Sequence, residues 1–501
     1  MQLLIALALG VLSAFAFQPV GLWPLMPLAF AGLFELIARA PTLRRAIGLG
    51  WWFGVGQFAV GLNWIATAFT FQAAMPAWLG WIAVVALSLY LAVYPMLATG
   101  LAWRIGKDRP LVLILALAGA WIVNEWLRAT MFTGFAWNPV GVTLVDSRLL
   151  DASRWIGTYG LGALVVLSGG ALWLAWRRAF KPAALTAAAV LACMLVPAAT
   201  LQPAGTPRPI RIVQPNIGQD VKWTPGFATA ANAKLNSLTR PRDHREELIF
   251  WPEAAVTEPL SDSRPGAGPY IQQERTEATA LVADRDVLLT GGIALRSKDG
   301  REVDSVANSV FVLGPGGRFI GRYDKAHLVP YGEYLPMRPI LTAIGLSRLA
   351  PGDRDFDAGA GPTSLQLPEG WGKAGFQLCY EIIFSGHVVD RANRPDFLFN
   401  PSNDAWFGRW GPPQHLAQAR LRAAEEGIPV VRSTPTGISA LVDAHGQIIQ
   451  SLPWHRAGII WADLPRPAES PSPFARYGNS IPLLLGLLLL VSAIALRRVR
   501  R

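Results

Sequence analysis

The chain has 501 residues, enough for two or three domains, with 52% apolar and 16% charged residues and a positive mean hydropathy. That balance is far from an ordinary soluble protein and puts membrane residence first. Two cysteines, Cys193 and Cys379, exclude a multi-bridge disulfide scaffold, and the net charge of +11 includes four short basic clusters beside apolar runs, so it reads as topology and not as a nucleic-acid surface.

A bilayer core of ~30 Å needs about 20 apolar residues in a helix. Seven such runs lie near 2–18, 22–39, 47–69, 79–104, 110–128, 157–176 and 182–200, and an eighth spans 481–496. The Ser13-Ala-Phe-Ala16 stretch resembles a leader cleavage site, but the first run lacks a basic leader and further spans follow at once, so it reads as a span. Arg39, Arg44 and Arg45 follow the second run, Arg104, Lys107 and Arg109 the fourth, Arg177, Arg178 and Lys181 the sixth, and Arg497, Arg498, Arg500 and Arg501 the last. All clusters fall on one side. Basic residues are retained in the cytoplasm, so both termini are expected there, with residues 205–478 on the opposite face. Asn63 and Glu125 inside apolar runs read as helix-to-helix hydrogen-bonding groups. Trp23, Trp51, Trp52, Trp64 and Trp137 suit an interfacial belt or a lipid cleft equally well.

Pro-rich linkers at 203–209 and 465–473 bracket the polar half. Within it, strands are predicted at 210–214, 248–251, 287–294, 309–313, 319–323, 375–378, 397–399 and 430–433. Helices are predicted at 229–238, 270–283, 385–391 and 414–426. Strands interleaved with helices argue for a layered α/β domain. The organisation expected is a seven-helix membrane region at 1–204, an extracytoplasmic catalytic domain at 205–478, and an eighth transmembrane helix with a basic tail at 479–501.

Three strand ends carry reactive groups: Trp-Pro-Glu253, Tyr-Asp-Lys325 and Leu-Cys379. A thiol is a good nucleophile only as thiolate, so Cys379 needs a base and a cation, which Glu253 and Lys325 could supply. Nothing local proves that they meet. A papain-like pairing with His327 or His387 is disfavoured because the surroundings of Cys379 do not match that nucleophile signature. His-Glu-x-x-His, paired Cys-x-x-Cys, Gly-x-Ser-x-Gly and P-loop patterns are absent, so neither metal nor cofactor is expected.

Four ordered motifs, Trp-Pro-Glu253, Asp-Lys325-Ala-His-Leu-Val-Pro-Tyr-Gly-Glu333, Cys379-Tyr-Glu381 and Ser402-Asn-Asp-Ala-Trp-Phe-Gly408, resemble the signature of the nitrilase (carbon-nitrogen hydrolase) superfamily. With seven spans before and one after, the pattern is similar to the bacterial apolipoprotein N-acyltransferases. Asn63-Trp64, Gln214 with Lys222-Trp223, and Pro473-Phe-Ala-Arg-Tyr-Gly-Asn479 extend the likeness over nearly the whole chain. Gln214-Pro-Asn and Thr434-Pro-Thr-Gly437 depart from the family at the pocket rim.

The resemblance implies an αββα sandwich joined to a bundle of eight transmembrane helices, and a triad of Glu253 as base then acid, Lys325 for the oxyanion and Cys379 as nucleophile. It implies supporting carboxylates at Glu333 and Glu381, and it motivates Trp223, Tyr380, Asn403, Trp406 and Phe407 as substrate-binding candidates. The activity implied is transfer of a phospholipid acyl chain, through a thioester, to the α-amine of a lipoprotein's diacylglyceryl-cysteine, by a monomer in the bacterial inner membrane. The partners implied are the phospholipid donor, the lipoprotein acceptor and membrane lipids, without nucleic acid. A membrane-tethered amidase and a non-catalytic lipid-sensing scaffold are the competing readings. Seven spans exceed what a tether needs, and an intact triad speaks against decay.

Overall fold

The computed structural model describes residues 1–71, 76–203, 205–218, 226–240, 246–343 and 355–498. Each long apolar run folds as helix because an apolar segment in lipid must satisfy its backbone internally. Among the described residues, four helices are long and apolar enough to cross a membrane: Leu79–Gly106, Pro110–Thr130, Arg148–Trp176 and Ser480–Arg498. Gln2–Ala14, Leu25–Ala38 and Phe180–Leu195 are apolar but shorter, and Leu43–Gly61 adds a further helix of 19 residues. The first of the long helices is two pieces, Leu79–Leu91 and Val93–Gly106, with Pro95 just past the break.

Small residues set the close contacts of the bundle. A Cβ on Gly10 would lie 2.0 Å from the Phe53 carbonyl oxygen, and one on Gly56 2.3 Å from that of Leu7, so helices Gln2–Ala14 and Leu43–Gly61 pack backbone against backbone. Asn63 does not bridge helices; its Nδ2 donates to the Val60 carbonyl one turn back at 2.8 Å. Glu125 does link segments, accepting from the Val140 amide at 2.7 Å. Trp64 and Trp137 are buried, so neither belongs to an interfacial belt.

The polar half is built on two sheets. Its strands are β1 Pro209–Gln214, β2 Leu248–Phe250, β3 Pro259–Asp262, β4 Val287–Arg296, β5 Ser305–Gly314, β6 Arg318–Asp324, β7 Ser364–Gln366, β8 Lys373–Phe376, β9 Phe397–Pro401, β10 Val430–Ser433, β11 Ala440–Val442, β12 Ile448–Ser451 and β13 Gly458–Asp463. One sheet runs β13-β1-β2-β4-β5-β6, with β3 beside β4; the other runs β12-β11-β10-β9-β8-β7. Side chains alternate across each strand. Ile210, Ile212, Phe250 and Leu289 meet Phe376, Phe397, Phe399 and Val431 between the sheets. Val213, Ile249, Trp251 and Leu288 face outward beneath helices Phe227–Thr239 and Gly268–Ala278.

Helix Gly411–Glu426 covers the second sheet, and all its residues except Pro413 are buried, because the membrane bundle packs on its far side. The order is therefore helix, sheet, sheet, helix, with the last layer fused to the bundle. The expected helix at 385–391 does not form. Gly386 has φ +76° there and the segment is a chain of turns closed by Asn479, whose Nδ2 donates to the Ser385 carbonyl at 2.6 Å.

Candidate active site

β2 is buried at all three positions and ends in Trp251-Pro252-Glu253. The Trp251 indole is anchored by donating to Thr239 Oγ1 at 2.9 Å, which fixes the turn that follows. Gly291 on β4 passes directly beneath that turn. A Cβ there would lie 2.6 Å from Glu253 Cα, so any larger residue would lift the carboxylate out of register.

Lys325 follows β6 at once, its amide donating to the Asn308 carbonyl on β5 at 2.9 Å. Its ammonium is 1% exposed and lies 2.9 Å from Glu333 Oε1 and 3.7 Å from Glu253 Oε1. Asn308 Nδ2 donates to both carboxylates, at 2.8 Å to Glu253 and 3.0 Å to Glu333. The other oxygen of Glu333 accepts from the Val329 amide at 2.8 Å and closes the loop after the lysine. Burial works to depress the Lys325 pKa, but Glu333 and Glu253 outweigh it and raise the pKa, so the ammonium stays charged. Glu253 Oε2 is buried and, among the described residues, has no hydrogen-bond partner. It is the free face of the Glu253 carboxylate.

Cys379 opens the short turn Cys379–Ile383 just beyond β8, with φ +47°, a left-handed conformation that an L residue adopts only when its surroundings enforce it. Burial, then the Glu253 carboxylate, push its thiol pKa well up, while Lys325 and the Asn403 backbone N–H pull the other way. The Glu253 carboxylate and the Lys325 ammonium thus both act electrostatically on the Cys379 thiol, whose raised pKa favours the neutral form.

Glu381 sits beside the nucleophile but bonds to backbone around it. Oε1 accepts from the amides of Ala326 at 2.7 Å and His327 at 3.0 Å and from the Tyr323 hydroxyl at 2.9 Å; Oε2 accepts from the Leu378 amide at 2.7 Å. One carboxylate therefore staples the lysine loop to the nucleophile turn. Tyr380 is buried and donates to the Gly134 carbonyl at 3.2 Å, while His327 stacks on Phe384 and its Nε2 meets the Thr133 carbonyl at 3.2 Å. Residues 131–135 leave the end of helix Pro110–Thr130, and Arg128 on that helix holds them by donating to the carbonyls of Phe135 at 3.0 Å and Trp137 at 2.8 Å.

Phe407 packs on Trp64 and Trp137 with centroids 4.5 and 5.5 Å apart, and Trp406 meets Phe71 at 5.8 Å. These candidates thus form an aromatic junction between bundle and sandwich. Trp223, the remaining substrate-binding candidate, lies outside the described residues.

The structure brings Glu253, Lys325, Glu333 and Cys379 into one buried cluster, with Glu381, Tyr380 and Asn403 around it. Sequence reasoning missed Asn308, whose signal was a polar residue within apolar β5, and a buried group of Asp404, His415 and Arg432. The imidazole that reaches Cys379 is neither His327 nor His387 but His415, and it reaches the carbonyl, with Nε2 3.0 Å away.

A family profile described as the apolipoprotein N-acyltransferase N-terminal domain matches residues 9–171, and one described as carbon-nitrogen hydrolase matches residues 210–471. The chain is similar to an apolipoprotein N-acyltransferase of Rhodopseudomonas palustris, at 34% identity covering 99% of this chain and 95% of that protein. A Ralstonia nicotianae protein of that name is 34% identical over 99% of this chain and 93% of its own length. One from Brucella melitensis is 35% identical over 86% and 83%. Alike in both halves and along nearly its whole length, the chain belongs to the apolipoprotein N-acyltransferase family, within the carbon-nitrogen hydrolase superfamily.

Proposed function

We propose that this lipoprotein N-acyltransferase works through a thioester on Cys379, fed by a phospholipid. In the first half, Glu253 takes the thiol proton as sulfur attacks the ester carbonyl, and the oxyanion develops beside the Lys325 ammonium. Collapse breaks the ester C–O bond, Glu253 returns the proton to the leaving alkoxide, and lysophospholipid departs. In the second half, the α-amine of the diacylglyceryl-cysteine gives its proton to Glu253 and attacks the thioester. The C–S bond breaks, the amide forms, and Glu253 returns the proton to the leaving Cys379 sulfur. A thioester retains enough activation for this step without a nucleotide.

The observation that carries the reading is the buried Glu253–Lys325–Glu333 cluster, with one Glu253 oxygen unpartnered and the Cys379 thiol coupled to both charges. Glu333 and Asn308 orient the base and the ammonium, Glu381 fixes the nucleophile turn, and the Asn403 N–H assists the sulfur. Trp406 and Phe407 line the acyl chain's approach from the bundle.

Eight crossings support the chemistry with two lipid substrates: seven in residues 1–204 and one in 479–501, with the catalytic domain at 205–478 on the extracytoplasmic face of the bacterial inner membrane. The one-sided basic clusters favour this arrangement, and the enzyme acts as a monomer. Intact-mass analysis after incubation with phospholipid tests the mechanism. One acyl adduct on Cys379, removed by hydroxylamine and passed to a diacylglyceryl peptide, is expected. An adduct at another residue, or transfer to water alone, would sink it.

A further inference from the structure

Cys379 is held in its left-handed backbone by something outside the triad. Its carbonyl oxygen lies 3.0 Å from His415 Nε2. A carbonyl only accepts, so Nε2 carries the proton. On the other side of the ring, Nδ1 lies 3.2 Å from Arg432 Nη2 and 3.1 Å from Asp404 Oδ1. Arg432 Nη2 also donates to both oxygens of Asp404, at 2.8 and 2.7 Å. With one Nη2 hydrogen shared between the two Asp404 oxygens, the other is directed at Nδ1, and burial, followed by the Arg432 charge, lowers the imidazole pKa. A neutral ring protonated on Nε2 donates to the Cys379 carbonyl and accepts from Arg432 at Nδ1, while Asp404 is bonded by the same guanidinium and not by the ring.

The set is rooted in the sheet. Arg432 stands opposite Asn400 in the β9–β10 register, and its Nη1 donates to Asn400 Oδ1 at 2.5 Å and Ser402 Oγ at 2.8 Å. Asp404, His415 and Arg432 are all fully buried. The faces of the His415 ring meet Trp137 of the bundle at 5.2 Å and Phe407 at 5.8 Å.

We propose that His415 is the positioning residue of the nucleophile: through its Nε2–H it fixes the Cys379 carbonyl, and so the backbone angle that presents the thiol to Glu253 and Lys325. Arg432 and Asp404 set the tautomer, and Trp137 sets the ring plane. This inference rests on the acyl-carrier role of Cys379.

The test uses the full-length protein with phospholipid and follows the thioester by intact mass over time. His415→Leu is expected to slow adduct formation by about 100-fold, the scale of a small misplacement of reacting atoms, while KM for phospholipid stays within about twofold. His415→Gln can aim an N–H at the same carbonyl and is expected to recover to within about tenfold of the wild type. A folded Leu variant acylating at the wild-type rate overturns the inference and leaves the thioester mechanism standing. A folded Gln variant as slow as Leu overturns it in favour of proton transfer by the imidazole. Should the Leu variant not fold, the Gln variant decides alone by the same threshold. A wild type that forms no Cys379 adduct overturns both readings.

Discussion

The two helical layers of the sandwich share a secondary structure and little else. Helices Phe227–Thr239 and Gly268–Ala278 bury one stripe, such as Ala231, Leu235 and Ile271, and leave the rest to solvent. Helix Gly411–Glu426 is buried nearly all round although its sequence is rich in Arg, Gln and Glu. Several of its polar groups bond to the bundle and others to the sandwich. Gln414 accepts from the Trp137 indole at 2.8 Å and donates to the Gly61 carbonyl at 3.1 Å. Glu425 accepts from the Thr158 amide at 2.5 Å and the Ser385 hydroxyl at 2.9 Å, and it pairs with Arg422 at 2.7 Å. Arg420 reaches Asp146 at 2.7 Å. Polarity on the outer layer buys solubility, whereas on the inner layer it joins two parts of one protein through directional bonds, which an apolar face could not register as sharply.

The contrast is open to measurement. Glu425→Ala strands a buried Arg422 and removes the acceptor of Thr158 and Ser385, so a loss of about 3–5 kcal/mol in unfolding free energy is expected. A loss below about 1 kcal/mol would mean that the inner layer is as tolerant as the outer. Chemistry on the inner side gives the next effect. Because the Cys379 thiol pKa is raised, its thiolate fraction should climb about tenfold per pH unit from pH 7 to 9 without a plateau, read as the rate of iodoacetamide alkylation. Lys325→Met should lower that rate at every pH, since the ammonium is the group that favours the thiolate. A plateau below pH 8 would show a thiol activated before substrate arrives. The smallest effect belongs to the outer layer: Gln273→Ala on the exposed face of Gly268–Ala278 should change thermal stability by less than about 0.5 kcal/mol.

Legibility divided along the same line. Glu253, Lys325 and Cys379 could be read because each stands just past a strand and within one of the ordered motifs that resemble the superfamily signature. β3, β7 and β11 escaped because they are brief, β12 because it is short and exposed at every position, and β13 although it is six residues long and apolar in its middle. The helix at Gln414–Glu426 was legible but its burial was not, since spaced charges look the same whether water or a second domain will meet them. His415 left no signature because its partner is a backbone carbonyl, present at every position of every sequence. Trp64 and Trp137 carried the composition of a membrane belt, and only packing revealed them as the floor of the aromatic junction.

Residues 131–135 touch both lips of the site, Thr133 meeting His327 on the lysine loop and Gly134 meeting Tyr380 on the nucleophile turn, while Arg128 ties them to helix Pro110–Thr130. Glu381 bonds both lips at once, accepting from Ala326 and His327 on one and from Leu378 on the other, so helix, lysine loop and Cys379 turn form one hydrogen-bonded chain. Whatever displaces helix Pro110–Thr130 reaches the Lys325 loop and the Cys379 turn through the same five residues, so the two are addressed together and not one at a time.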